Sequence, residues 1–197
     1  MRIPKVGRWQ YWQVISGLLF LAFGVRVIVA LIMPAEAGVG QNYALQSWQV
    51  GELVSSMAFS PDGKLLAVGT EHGAVQLRQV VSGTIVGTLS GSVSLAFSPD
   101  SKMLAVLDGS GKINVYETNT GALIRTLGPE GDQHQRLSML AFSPDGQMLA
   151  SYSNTGSIIF YSVSDWQLSG NLYVPSSLVH SEAGYHPLAL GFSPGGE

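Results

Sequence analysis

No cysteine occurs among the 197 residues. That excludes disulfide bridges, thiol nucleophiles and Cys-ligated zinc or iron–sulfur centres. Charge is scarce as well: Asp, Glu, Lys and Arg make up 12% of the chain, about half the usual ~25%, so a bundle of helices with solvated charged faces is disfavoured. The few cations are unevenly placed. Residues 1–37 hold Arg2, Lys5, Arg8 and Arg26 against Glu36, net +3, whereas residues 38–197 carry six basic and twelve acidic groups, net −6. An acidic body with scattered cations cannot neutralise a row of phosphates, so nucleic-acid binding is not expected. Glycine, in contrast, is plentiful at 24 residues, well above the usual ~7%, and many turns between short strands follow from it. The length allows one domain or a large part of one.

The N-terminal 37 residues read as an address. Residues 1–13 supply three positive charges with Trp9, Tyr11 and Trp12, and residues 14–33 are apolar apart from one Ser, two Gly and Arg26. Basic residues stay on the cytoplasmic side and amphipathic aromatics prefer the headgroup level, which predicts one N-terminal apolar helix with its N-terminus inside. Twenty residues at 1.5 Å each reach ~30 Å, the length of a membrane anchor. Pro34-Ala35-Glu36-Ala37 also offers the A-x-A pattern of a signal peptide cleaved after Ala37, and both readings stay open. Arg26 is tolerated in either case, by snorkelling or because the segment is temporary.

After residue 50 one phrase recurs. Met57-Ala58-Phe59-Ser60-Pro61-Asp62 returns as Leu95-Ala96-Phe97-Ser98-Pro99-Asp100, Leu140-Ala141-Phe142-Ser143-Pro144-Asp145 and Leu190-Gly191-Phe192-Ser193-Pro194-Gly195. The spacings are 38, 45 and 50 residues. By the period of two, Met57 and Phe59 and their equivalents share a core face, while Ala58, Ala96 and Ala141 face the other way and let a neighbouring backbone approach. Proline fixes φ in the turn that follows, and Asp62, Asp100 and Asp145 bond their own downstream backbone. Each of the first three phrases leads to an apolar second strand, an alternating third strand and a short closing strand: Thr84–Leu89, Ala122–Leu127 and Gln167–Leu172. Stacked four-stranded antiparallel units that bury both faces against their neighbours satisfy this pattern.

These units resemble WD40 repeats, and residues 43–194 resemble part of a WD40 β-propeller. The resemblance implies an all-β fold of about three and a half blades, at about 54–89, 93–127, 138–172 and, in part, 188–197, within a repeat region spanning 38–197. The sequence departs from the family in lacking Gly-His before each first strand. Trp-Asp at the end of the third strand becomes Arg78-Gln79, Tyr116-Glu117 and Tyr161-Ser162, and the turn Asp becomes His72, Ser110 and Thr155. The family's His-Ser-Asp-Trp network cannot form with these residues, which leaves blade cohesion to apolar packing. Ala44–Val50 fits an outer strand that closes a ring. Counting on leaves the fourth unit with its first strand alone, Leu188–Phe192, and a ring needs at least about four blades. A fragment of a longer propeller, or assembly of copies through the open sheet edges, is expected.

None of the common catalytic spellings occurs: the P-loop, H-E-x-x-H, G-x-S-x-G and the EF-hand loop are absent. His72, His134, His180 and His186 fall in turns and long connections, as solvated loop residues do, and Glu130 with Asp132 keeps one connection in water. No catalytic, cofactor-binding or metal-ligating residue is assigned, and no cofactor is expected. The connections at 128–137 and 173–187 are long enough to serve as binding loops. The resemblance implies a non-enzymatic scaffold, exported or membrane-tethered through residues 14–33, that binds a protein partner by its blade-connecting loops. A quinoprotein-like or lactonase-like enzyme fragment is the alternative; a ring of inward His, Glu or Asn at equivalent blade positions would support it, and this chain has Ala at those positions. A sensor or anchor segment of an envelope complex is another.

Overall fold

The computed structural model describes residues 26–31, 44–91, 93–128, 137–174 and 190–193. The chain divides into two compact units, Met1–Gly51 and Glu52–Glu197. The first contains β1 (Arg26–Leu31) and β2 (Ala44–Gln49), paired antiparallel with Val27 opposite Trp48 and Val29 opposite Gln46. Here the described part of the expected helix is a strand. An apolar run does not by itself distinguish helix from strand, and the β-branched Val27, Ile28 and Val29 favour the extended form once a partner strand is available. The remainder of residues 14–33 lies outside the described residues. Among the described residues, no helix is long and apolar enough to cross a membrane. The strand expected at Ala44–Val50 forms, and its partner is Arg26–Leu31.

The second unit holds three four-stranded antiparallel sheets. Blade 1 is β3 (Val54–Phe59), β4 (Leu65–Thr70), β5 (Ala74–Gln79) and β6 (Ile85–Ser90). Blade 2 is β7 (Ser94–Phe97), β8 (Met103–Leu107), β9 (Ile113–Glu117) and β10 (Leu123–Leu127). Blade 3 is β11 (Leu137–Phe142), β12 (Met148–Ser153), β13 (Ser157–Ser162) and β14 (Leu168–Tyr173). Each second strand is apolar on both faces, and Leu66, Leu104 and Leu149 are fully buried as a sandwiched strand requires. One core joins Ala67, Val75, Leu77 and Leu89 of blade 1 to Phe97, Leu104, Val106 and Tyr116 of blade 2, with Ala58 packed against it. The next joins Ala105, Leu107, Ile113, Val115 and Leu127 to Leu137, Leu140, Leu149, Ile159 and Tyr161, with Ala96 packed against it. The small residue of each first strand therefore faces the following blade, and the large ones face back.

The fourth first strand is not seen. Leu190–Ser193 has no regular structure, because a strand needs a ladder partner and no described strand lies opposite these residues. Phe192 instead sets its ring edge-on to Phe160 of β13, centroids 6.3 Å apart at 61°. Residues 188–189 and 194–197 of the expected partial blade lie outside the described residues.

Cohesion is not purely apolar, contrary to the reading of the degenerate motif. At each hairpin a buried serine organises the turn. The Ser98 hydroxyl donates to Asp100 Oδ1 at 2.6 Å and accepts from the Met103 amide at 2.9 Å, while Asp100 Oδ1 also accepts from the Lys102 amide at 3.0 Å. Ser60 with Asp62, and Ser143 with Asp145, repeat the arrangement. Gly63, Ser101 and Gly146 take the left-handed position of the turn, at φ 71°, 63° and 71°. Ser101 bears the cost of φ > 0, and its hydroxyl accepts from the Asp62 amide of blade 1 at 3.0 Å. Two further bonds cross between blades: Leu140 N to Ser94 Oγ at 3.2 Å, and Tyr116 Oη to the Ser90 carbonyl at 3.3 Å. Tyr116, Arg78 and Tyr161 occupy one register position, opposite Leu104, Leu66 and Leu149.

Two expectations arise here. Ser98→Ala should cost about 1–3 kcal/mol in a urea melt, because it leaves the Met103 amide without an acceptor beneath the turn. An unchanged midpoint would show that water replaces the hydroxyl. The Ser98 hydroxyl, followed by the Lys102 amide and charge, holds the Asp100 carboxyl below its ordinary range despite partial burial. At Asp62 burial acts upward, and the bonds from Ser60 and Lys64 outweigh it. Folded-state values below the unfolded ones mean stability present above the unfolded value of ~3.9 and lost as pH falls through the folded values. Thermal melts from pH 7 to 2 should fall only below about pH 4, and less steeply for Asp100→Asn. Equal acid slopes for both proteins would refute the assignment.

Candidate functional site

Of the residues singled out in the sequence, His134, His180, His186, Glu130 and Asp132 lie outside the described residues. So do most of the connections at 128–137 and 173–187. His72 stands in the β4–β5 turn, exposed, with Nδ1 3.4 Å from Glu52 Oε2. Among the described residues, no three His, Cys, Asp or Glu side chains are grouped so as to hold a metal ion.

A groove of about 320 Å³ opens where the outer strands of blades 2 and 3 face each other across their shared core. Its floor is the edge of that core, Leu127, Ile159 and Tyr161; its walls carry Arg125, Trp166 and Asn171. Each fourth strand contains a bulge at the same place, after Ile85, Leu123 and Leu168, which leaves Val86, Ile124 and Ser169 as the extra residue. A bulge bends a strand and re-aims the next side chain. Directly after it the three blades place Gly87, Arg125 and Gly170, paired with Leu77, Val115 and Phe160. Only blade 2 has a side chain there. Arg125 is opposite Val115, on the face turned to blade 3, and among the described residues its guanidinium has no hydrogen-bond or ion-pair partner.

The opposite wall shows the same departure from the repeat. The turn before each fourth strand uses a left-handed residue whose amide closes on the end of the third strand: Gly83 to Gln79 O, Gly121 to Glu117 O and Trp166 to Ser162 O, at 2.8, 2.8 and 2.9 Å. Their φ angles are 70°, 69° and 59°. Glycine adopts this conformation without steric cost, whereas a bulky residue there is a true outlier. Trp166 is half-buried and packs against the core between blades 2 and 3. Asn171 lies opposite Ile159 on β14 and faces Arg125 across the groove. None of the common motifs contains Arg125 or Trp166. Aligning the fourth strands and their turns residue by residue would have found them, since each replaces a glycine of the other two repeats.

Sequence and structure comparisons agree on the nature of the blades. Residues 83–117 and 121–162 match the model of the WD domain, G-beta repeat. Residues 40–93 match that of the anaphase-promoting complex subunit 4 WD40 domain. These matches support the WD40 family. The solved WD40 repeats of RRP9 and the structure of U3-55K are each 21% identical with a TM-score of 0.57, which shows the shared fold. In each case 62% of this chain is covered, and it spans 39% and 40% of those chains respectively. No curated protein sequence matches the chain.

Proposed function

We propose that this chain is a non-enzymatic WD40 scaffold, exported or membrane-tethered by residues 14–33, that holds a protein partner on its blades. One observation carries the reading. The closing strands β6, β10 and β14 are sheet edges, and they expose Ile85, Val86, Leu123, Ile124, Leu168, Leu172 and Tyr173 to water, Leu168 and Tyr173 by 64%. Unpaired ladder groups beside apolar side chains form a surface that proteins normally cover. Binding by the blade-connecting loops and self-association through the sheet edges are both part of this proposal.

A photo-crosslinking amino acid at Leu172 tests it in cells. A discrete adduct of reproducible mass, absent when the probe replaces the exposed Gln79 on β5, is expected; a smear at both positions would overturn the scaffold reading. The address is tested separately by the mass of the N-terminus. Gly38 means cleavage, intact Met1 in the membrane fraction means an anchor, and a soluble cytoplasmic product defeats both.

A further inference from the structure

We infer that the groove between blades 2 and 3 docks an extended peptide segment carrying a carboxylate, which rests on the scaffold reading above and names the chemistry of its partner. The groove is not a by-product of the repeat. Blade geometry generates a wedge between successive outer strands, and between blades 1 and 2 it is lined by Gly87 and Gly121, where a Cβ on Gly121 would already lie 3.5 Å from Leu89 Cδ2. Between blades 2 and 3 the same two positions are Arg125 and Trp166. Among the described residues nothing lies within 4 Å of a Cβ on Gly170, the third counterpart of Arg125. Trp166 is held at φ 59° where the other repeats use glycine. Strain of this kind persists where the surroundings over-determine it and is concentrated at binding sites.

The chemistry of the walls selects the occupant. A guanidinium presents a planar fork of donors that matches a carboxylate in bidentate fashion. Arg125 offers it from a strand, without a partner among the described residues. Trp166 adds a flat apolar surface beside it for the neighbouring side chain. The Asn171 and Gln167 amides can each give and accept a bond with a peptide main chain, and β10 and β14 run along the groove with free edges. An extended segment is the ligand shape that uses such edges. A single cation in a body of net charge −6 cannot hold successive phosphates, so a nucleic acid does not suit the site.

Displayed random heptapeptides selected on the full chain test this, in parallel with Arg125→Gly and Trp166→Gly, which restore the residues of the other repeats, and with Arg125→Glu. Wild type should enrich peptides with an acid next to an apolar residue. Arg125→Gly should bind synthetic copies at least tenfold more weakly while melting at the same temperature, and Arg125→Glu should enrich a base in place of the acid. Trp166→Gly should relax the choice of apolar neighbour. Should Arg125→Gly melt lower, Arg125→Gln, which keeps the stem, must show the same loss. Peptides bound equally by wild type and Arg125→Gly would sink the groove and leave the scaffold standing. Failure of wild type to enrich any acidic peptide would also sink the groove, and the Leu172 adduct would then judge the scaffold alone.

Discussion

Phe97→Ala is expected to lower stability by about 3–5 kcal/mol, the usual cost of emptying a packed aromatic site. Phe97 is 8% exposed and lies in the core shared by blades 1 and 2 with Leu77, Leu104 and Val106. Removing the ring opens a void between two sheets whose backbones are fixed by their own ladders, so little relaxation can fill it. Phe59 stands at the same place in the repeated phrase and is 44% exposed. No described blade of this kind precedes blade 1, and Phe59 belongs to neither core. Its truncation should cost less, at most about 2 kcal/mol, because nearly half of its surface is already in water. Urea midpoints of the two variants, at unchanged slope, make the comparison. Similar losses would mean that Phe59 is covered by an element this reading does not include.

That contrast shows how far the sequence reaches. The three four-stranded sheets were legible because each Ser-Pro-Asp phrase fixes a turn, and the apolar runs around it have the lengths of strands. Burial within equivalent positions was not, since it depends on which blade lies alongside. The repeated phrase marks proline and aspartate as the turn formers and assigns no role to its serines. Yet Ser60, Ser98 and Ser143 are 1% exposed and make the bonds that hold the hairpins. A hydroxyl beneath a turn has no pattern of its own in sequence. Residues 26–31 went to strand for a related reason: their partner at 44–49 is distant in sequence, and hydropathy carries no information about pairing. Arg125 and Trp166 were hidden differently. No known motif contains them, and they stand out only against Gly87, Gly170, Gly83 and Gly121 of the same chain.

Gly91→Ala should cost about 2–4 kcal/mol, and the reason lies in where one blade hands over to the next. Gly91 follows β6 at φ +101°, outside the region open to L side chains, which by itself costs of order 1–3 kcal/mol. A Cβ there would also sit 2.8 Å from Val106 Cγ1, 3.3 Å from the Leu107 carbonyl oxygen and 3.4 Å from Asp108 Cα. Val106 is fully buried and the other two atoms are backbone, so relief requires blade 2 to shift away from the connection, an overpacking cost of about 1–3 kcal/mol. Gly73 separates the two effects. It has φ +81° with nothing within 4 Å of its would-be Cβ, and its carbonyl accepts the Gly91 amide at 2.9 Å. Gly73→Ala therefore incurs the backbone strain without the clash and should cost about 1 kcal/mol. The excess of Gly91→Ala over Gly73→Ala in urea melts measures the close approach of blade 1's exit to β8. If the two midpoints coincide, the spacing between these blades is set by the core beneath them and not by the glycine that joins them.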